Sequence, residues 1–107
     1  MVDDISVRVA LFLAEAAEAH DRGAMEDLHN KFDEAETFLS DKTCHEHVAI
    51  AYNFLDGWED ASNHDWQYYK GIKKGDWPAL GREISEVLRR GIPIKNKIVL
   101  KHFNFRK

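Results

Sequence analysis

Six histidines stand among 19 Asp and Glu in a chain of 107 residues, so metal binding is the first chemistry to consider. Glu26-Asp27-Leu28-His29 is a Glu-x-x-His sequence, the spacing that sets a carboxylate and an imidazole side by side on a helix. Asp33 and Glu36 continue that stripe at helical spacing. His45, Tyr52, Asp56 and Glu59 line one flank of a later helix in a similar way. Two such stripes facing each other can hold a divalent ion, as in carboxylate-bridged di-metal bundles. Such a bundle, however, uses two Glu-x-x-His sequences plus two further carboxylates, and this chain has one. Charged residues bordering an apolar stripe are also what any amphipathic helix shows. Glu26, His29, Asp33 and Glu36 are candidate metal ligands, and no cofactor is expected.

Cys44-His45-Glu46-His47 is the second constellation. A thiol in the first turn of a helix is acidified by the helix dipole, and two imidazoles lie nearby. Zinc would need two more ligands, and no second Cys/His pair occurs at zinc-finger spacing. A capping box, Thr43-Cys44-His45-Glu46, explains the same residues without chemistry. His64-Asp65 matches the dipeptide of metal-dependent HD phosphohydrolases, but that fold needs an earlier His and a distant later Asp on separate helices. The only acids after residue 69 are Asp76, Glu83 and Glu86, and the chain is short for it. No Gly-rich phosphate loop, Gly-x-Ser-x-Gly or dinucleotide fingerprint is present.

The third constellation is aromatic and basic, running from Trp66 through Tyr68, Tyr69, Lys70, Lys73 and Lys74 to Trp77. Aromatic rings beside lysines stack on bases and neutralise phosphates. They also make protein–protein hot spots. With three Trp and three Tyr between positions 52 and 77, some of them must be core. Trp66, Tyr68, Tyr69, Lys70, Lys73 and Lys74 are candidate binding residues. No helix-turn-helix pattern supports sequence-specific DNA reading.

The elements that position these groups are helical. Ile5, Val9, Phe12, Ala16 and Ala19 share one stripe of a helix over about 4–22, with Leu13 beside it and Gly23 as its stop. Leu11 and Ala14 widen its apolar surface. Met25, Leu28, Phe32, Ala35 and Leu39 define a second helix, which folds back on the first as an antiparallel hairpin. Val48, Ala51, Tyr52, Leu55 and Trp58 define a third, ending near Ala61. Residues 65–69 are read as one short helical turn. Asp76 caps a fourth helix, with Pro78 in its first turn and a Schellman stop at Gly91-Ile92 ahead of Pro93. Trp77, Leu80, Ile84, Val87 and Leu88 form its stripe. In the tail, a short helix capped by Asn96 is favoured over a strand, since no other segment offers a strand to pair with.

The fold expected is therefore all-α, a small four- to five-helix bundle in one domain over 1–107. The lone cysteine permits no intrachain disulfide, which points to a reducing compartment. The acidic start and the lack of a long apolar run point to a cytoplasmic chain with no membrane partner. Charge is divided along the sequence. Residues 1–69 hold 4 Lys/Arg against 16 Asp/Glu, and residues 70–107 hold 11 against 3. Such halves attract each other, or the basic third faces an anionic partner. The reading favoured is a non-enzymatic protein-interaction or regulatory module that binds another protein or itself, as a homodimer. The alternatives are a nucleic-acid binder working through residues 66–107 and a small metal-dependent or acid–base enzyme using the second helix.

Overall fold

The computed structural model describes residues 4–42 and 45–104. Five helices follow one another: α1 (Asp4–Asp21), α2 (Met25–Leu39), α3 (Glu46–Asn63), α4 (Trp77–Arg90) and α5 (Lys97–Phe103). Between α3 and α4 lie β1 (Tyr68–Tyr69) and β2 (Ile72–Lys73), an antiparallel pair of two residues each. The architecture is an all-α bundle with an α1–α2 hairpin at its N-terminus. None of its helices, among the described residues, is long and apolar enough to cross a membrane.

Three helices end in the same way, with a left-handed residue that lets a later amide reach back. After α1, Gly23 has φ +70° and Ala24 N–H donates to Ala19 C=O at 2.9 Å. After α4, Gly91 has φ +69° and Ile92 N–H donates to Val87 C=O at 3.2 Å. This is the Schellman geometry expected there. After α3 the left-handed residue is Asp65, φ +52°, and Trp66 N–H donates to Ala61 C=O at 3.0 Å. Aspartate tolerates this region better than most residues.

The helix starts differ in part from expectation. Asp76 occupies the N-cap of α4, and Asn96 caps α5 by accepting from Val99 N–H at 3.1 Å. Asp76, however, makes no side-chain capping bond. Thr43 and Cys44 of the expected capping box lie outside the described residues. α3 begins at Glu46, with His45 at the N-cap.

α1 is the central helix, packing most extensively on α4 and also on α2 and α3. Its contact with α4 is close because the facing residues are small. Ala10, Ala17 and Ser85 are all buried, and Ser85 Oγ donates to Ala10 C=O at 2.7 Å, while Gly81 makes room for α3, where a Cβ would lie 3.1 Å from the Trp58 ring. This turns α4 slightly from the expected stripe, leaving Leu80 and Val87 half-buried. α3 buries a second face through Ile50, Phe54, Gly57 and Ala61. Phe54 is the hub there, with ring centroids at 5.3–5.9 Å from Trp58, Trp77 and Phe103. Gly57 admits α5, since a Cβ at that position would lie 2.8 Å from the Phe103 ring.

Candidate functional site

The segment expected as a helical turn over 65–69 is a β-hairpin, and its turn shows why. Lys70 and Gly71 both carry positive φ, +52° and +78°, which is the two-residue turn that matches the twist of paired strands. Strand alternation then sorts the side chains. Tyr69 and Ile72 face inward, and Ile72 is buried. Tyr68 and Lys73 face outward. The hairpin is anchored by Lys74 N–H donating to Gln67 C=O at 2.9 Å.

An aromatic file runs from the surface to the core. His64 stacks on Trp66 at 4.4 Å and 11°. Trp66 meets Tyr69 at 4.6 Å, and Tyr69 meets Trp77 at 6.4 Å. His64 therefore serves as a ring in this file, and its Nδ1 donates to Asp60 C=O at 2.9 Å. Lys70 lies 5.3 Å from the Tyr69 ring centre, and Lys74 is ion-paired with Asp65. Of the six candidate binding residues, Trp66 and Tyr68 keep 39% and 65% of their surface exposed. Lys73 and Lys74 are also exposed, while Tyr69 and Lys70 are half-buried.

Below Trp66 opens a cleft of about 380 Å³. All three tryptophans of the chain line it: Trp58 from α3, Trp66 and Trp77. His20 from the end of α1 and Met25 from the start of α2 complete its walls. Ser62, Asp65 and Lys74 supply its polar rim. Among the described residues, two buried side-chain polar atoms lack a hydrogen-bond partner, His20 Nδ1 and Trp77 Nε1. Both residues line the cleft, but the atoms themselves are closed off from solvent, and His20 Nδ1 lies 3.9 Å from the Asp21 carboxylate. A buried polar atom without a hydrogen-bond partner costs about 1–3 kcal/mol.

The helix stripe considered for metal is arranged otherwise. Glu26, Asp33 and Glu36 are exposed, and His29 leans on Phe32 with ring centroids 5.9 Å apart. Glu36 does approach the α3 flank, where it lines a small depression with Tyr52, Asp56 and Glu59. Burial pushes the Glu59 carboxyl up, and Glu36, Asp33, Asp56 and Asp60 push it further. Among the described residues, no three His, Cys, Asp or Glu side chains come together as a metal ion requires.

The clustering of Trp and Tyr over 52–77 signalled an aromatic assembly in sequence. Nothing in the spacing of His20 and Met25 tied them to it, because they arrive through the α1–α2 turn. Comparisons with family models, with curated proteins and with solved structures found no match.

Proposed function

We propose that the chain is a non-enzymatic interaction module that binds a partner protein through the outer face of its hairpin. The observation that carries this reading is Tyr68, 65% exposed on a turn whose inward residues are anchored in the bundle. A large ring on an anchored backbone loses less entropy on binding than one on a mobile loop, and tyrosine is among the residues that dominate interface energies. Lys73, across the ladder from Tyr68, adds one outward charge. A protein suits this surface better than a nucleic acid, because carboxylates are interleaved with its lysines. Asp65 is paired with Lys74, and Asp60 and Asp56 lie near enough to raise the Tyr69 phenol, after the larger effect of burial.

A photo-crosslinking residue in place of Tyr68, introduced in the native cells, tests the proposal. Adducts to one protein, lost when Lys73 is also replaced by Glu, are the expected result. Adducts to nucleic acid, or none, count against it. Tyr68→Ala should shift the unfolding midpoint by under about 0.5 kcal/mol, as an exposed substitution does.

A second reading, self-association, rests on α1. Val7 and Leu11 lie one turn apart on the same face and are 48% and 51% exposed.

A further inference from the structure

We infer that the outer face of α5, with the 91–96 stretch that leads into it, docks on an anionic lipid surface as a reversible, peripheral contact. The surface belongs to another element than the partner-binding hairpin, and the inference does not depend on that reading. It departs from the expectation of no membrane partner, which rested on the lack of a spanning run. A contact lying in the headgroup layer needs no such run. Sequence supplies the charge. Residues 87–107 hold 7 Lys/Arg and no Asp or Glu, whereas the other 86 residues hold 8 against 19.

The fold turns this charge outward. Val99 and Phe103 are fully buried and set one side of α5 on the bundle. At about 100° per residue, Lys97, Ile98 and Lys101 fall together on the opposite side, and all three are exposed. Ile92 and Lys95, just ahead of the helix, are exposed too. Ile92 and Ile98 keep 45% and 40% of their surface open. Among the described residues, Lys95, Lys97 and Lys101 form no ion pair. Two α4 carboxylates are engaged elsewhere: Glu83 accepts from Asn96 Nδ2 at 2.8 Å, and Glu86 pairs with Arg89 and Arg90. Lys70 of the hairpin turn adds its charge beside α5. It and Lys101 push the His102 imidazole down, after the larger effect of burial, although Lys70 also lies within electrostatic reach of Asp56.

Unpaired lysines call for an anionic partner, and the isoleucines among them select lipid over nucleic acid. A phosphodiester strand engages cations and aromatic rings. It gains little from an exposed aliphatic chain. A headgroup layer takes the lysines at the level of its phosphates and the isoleucines just beneath. The net charge of −4 does not oppose this contact. The molecule measures 35 × 25 × 23 Å, and charges more than about 8 Å from the surface are largely screened at physiological salt.

Co-sedimentation of the full chain with vesicles tests the inference, using phosphatidylcholine alone or with about one-third phosphatidylserine. Half of the chain should bind the mixed vesicles at about 0.1–1 mM lipid, and the neutral ones at least about tenfold more weakly. Lys97→Ala and Lys101→Ala together should weaken binding about twentyfold, since each lysine near an anionic surface is worth about fivefold. Ile92→Ser and Ile98→Ser should each weaken it at least about threefold by removing apolar area from the contact. Ile98 also packs near Gly71 of the hairpin turn, whereas Ile92 is open, so the Ile92 variant separates lipid contact from folding. Far-UV circular dichroism of every variant should match the parent. The inference is overturned if the mixed vesicles do not bind the chain, or if neutral vesicles bind it as tightly. It is equally overturned if the double lysine variant, or the Ile92 variant, binds unchanged. A mixed-sequence single-stranded oligonucleotide bound more tightly than the mixed vesicles, with both isoleucine variants unaffected, would overturn it in favour of a strand.

Discussion

Glu59 lies half-buried on α3, within electrostatic reach of Asp33 and Glu36 from α2 and of Asp56 and Asp60 from its own helix. Burial is the first cause of its raised pKa, and the four carboxylates add to it. A carboxyl raised in this way binds its proton more tightly in the folded chain than in the unfolded one. Its contribution to stability is therefore complete below the unfolded value and is lost as pH rises through the folded one. Glu59→Gln should stabilise the protein by about 0.5 kcal/mol at neutral pH, the size of a relieved like-charge contact. Below about pH 4, where glutamate is protonated, the gain should vanish. Urea melts at the two pH values check this, and a gain independent of pH would mean that packing, not charge, limits Glu59. The sequence showed that α2 and α3 both carry acidic flanks. It did not show how they meet, because that depends on the rotation of two helices about their own axes.

The hairpin is the element that sequence spacing misjudged. Lys70-Gly71 was its only local signal, and a lysine at the first left-handed position hides a turn more often written Asn-Gly. Gly71 is held twice over, by φ +78° and by α5. A Cβ there would stand 3.1 Å from His102 Nε2 and 3.4 Å from Ile98 Cγ2. Gly71→Ala should cost about 1–2 kcal/mol through left-handed strain and this crowding together, read as a lower urea midpoint with far-UV helix signal retained. An unchanged midpoint would mean that the hairpin does not dock on α5. The helix ends were legible where glycine marks them, at Gly23 and Gly91. α3 runs on to Asn63, past the expected end near Ala61, because its left-handed residue is Asp65 rather than a glycine. The second buried face of α3, with Ile50 and Phe54, was missed for another reason. Its cover is α5, a seven-residue helix tied on by Asn53 Nδ2 donating to Phe103 C=O at 2.8 Å.

Among the described residues, ion pairs both join and stay within the acidic and basic portions of the sequence. Asp21–Arg82 and Asp65–Lys74 join the acidic and basic portions, whereas Lys31–Glu15, Arg22–Asp27 and Arg90–Glu86 lie within one or the other. Exposed pairs of this kind contribute little to stability. α1 offers an apolar centre for an external surface. Ala10 and Ala17 are consumed by α4, while Val7 and Leu11 remain outside, with Ala14 half-buried beside them. A two-fold pair centred on Val7 and Leu11 would bury both copies of this strip. Acidic residues of one copy could then lie opposite basic residues of the other. On this reading the chain sediments as a dimer at micromolar concentration. Moderate salt weakens it only slightly, since screening acts on the charged rim and not on the apolar centre. Leu11→Glu should produce monomers, because each copy would carry an unpaired carboxylate into the contact. Its unfolding midpoint, extrapolated to low concentration, should match that of the parent chain, because Leu11 is not part of the bundle's own core. Sedimentation equilibrium of both proteins decides the matter: a parent chain at the mass of one copy, 12.4 kDa, rules the pair out.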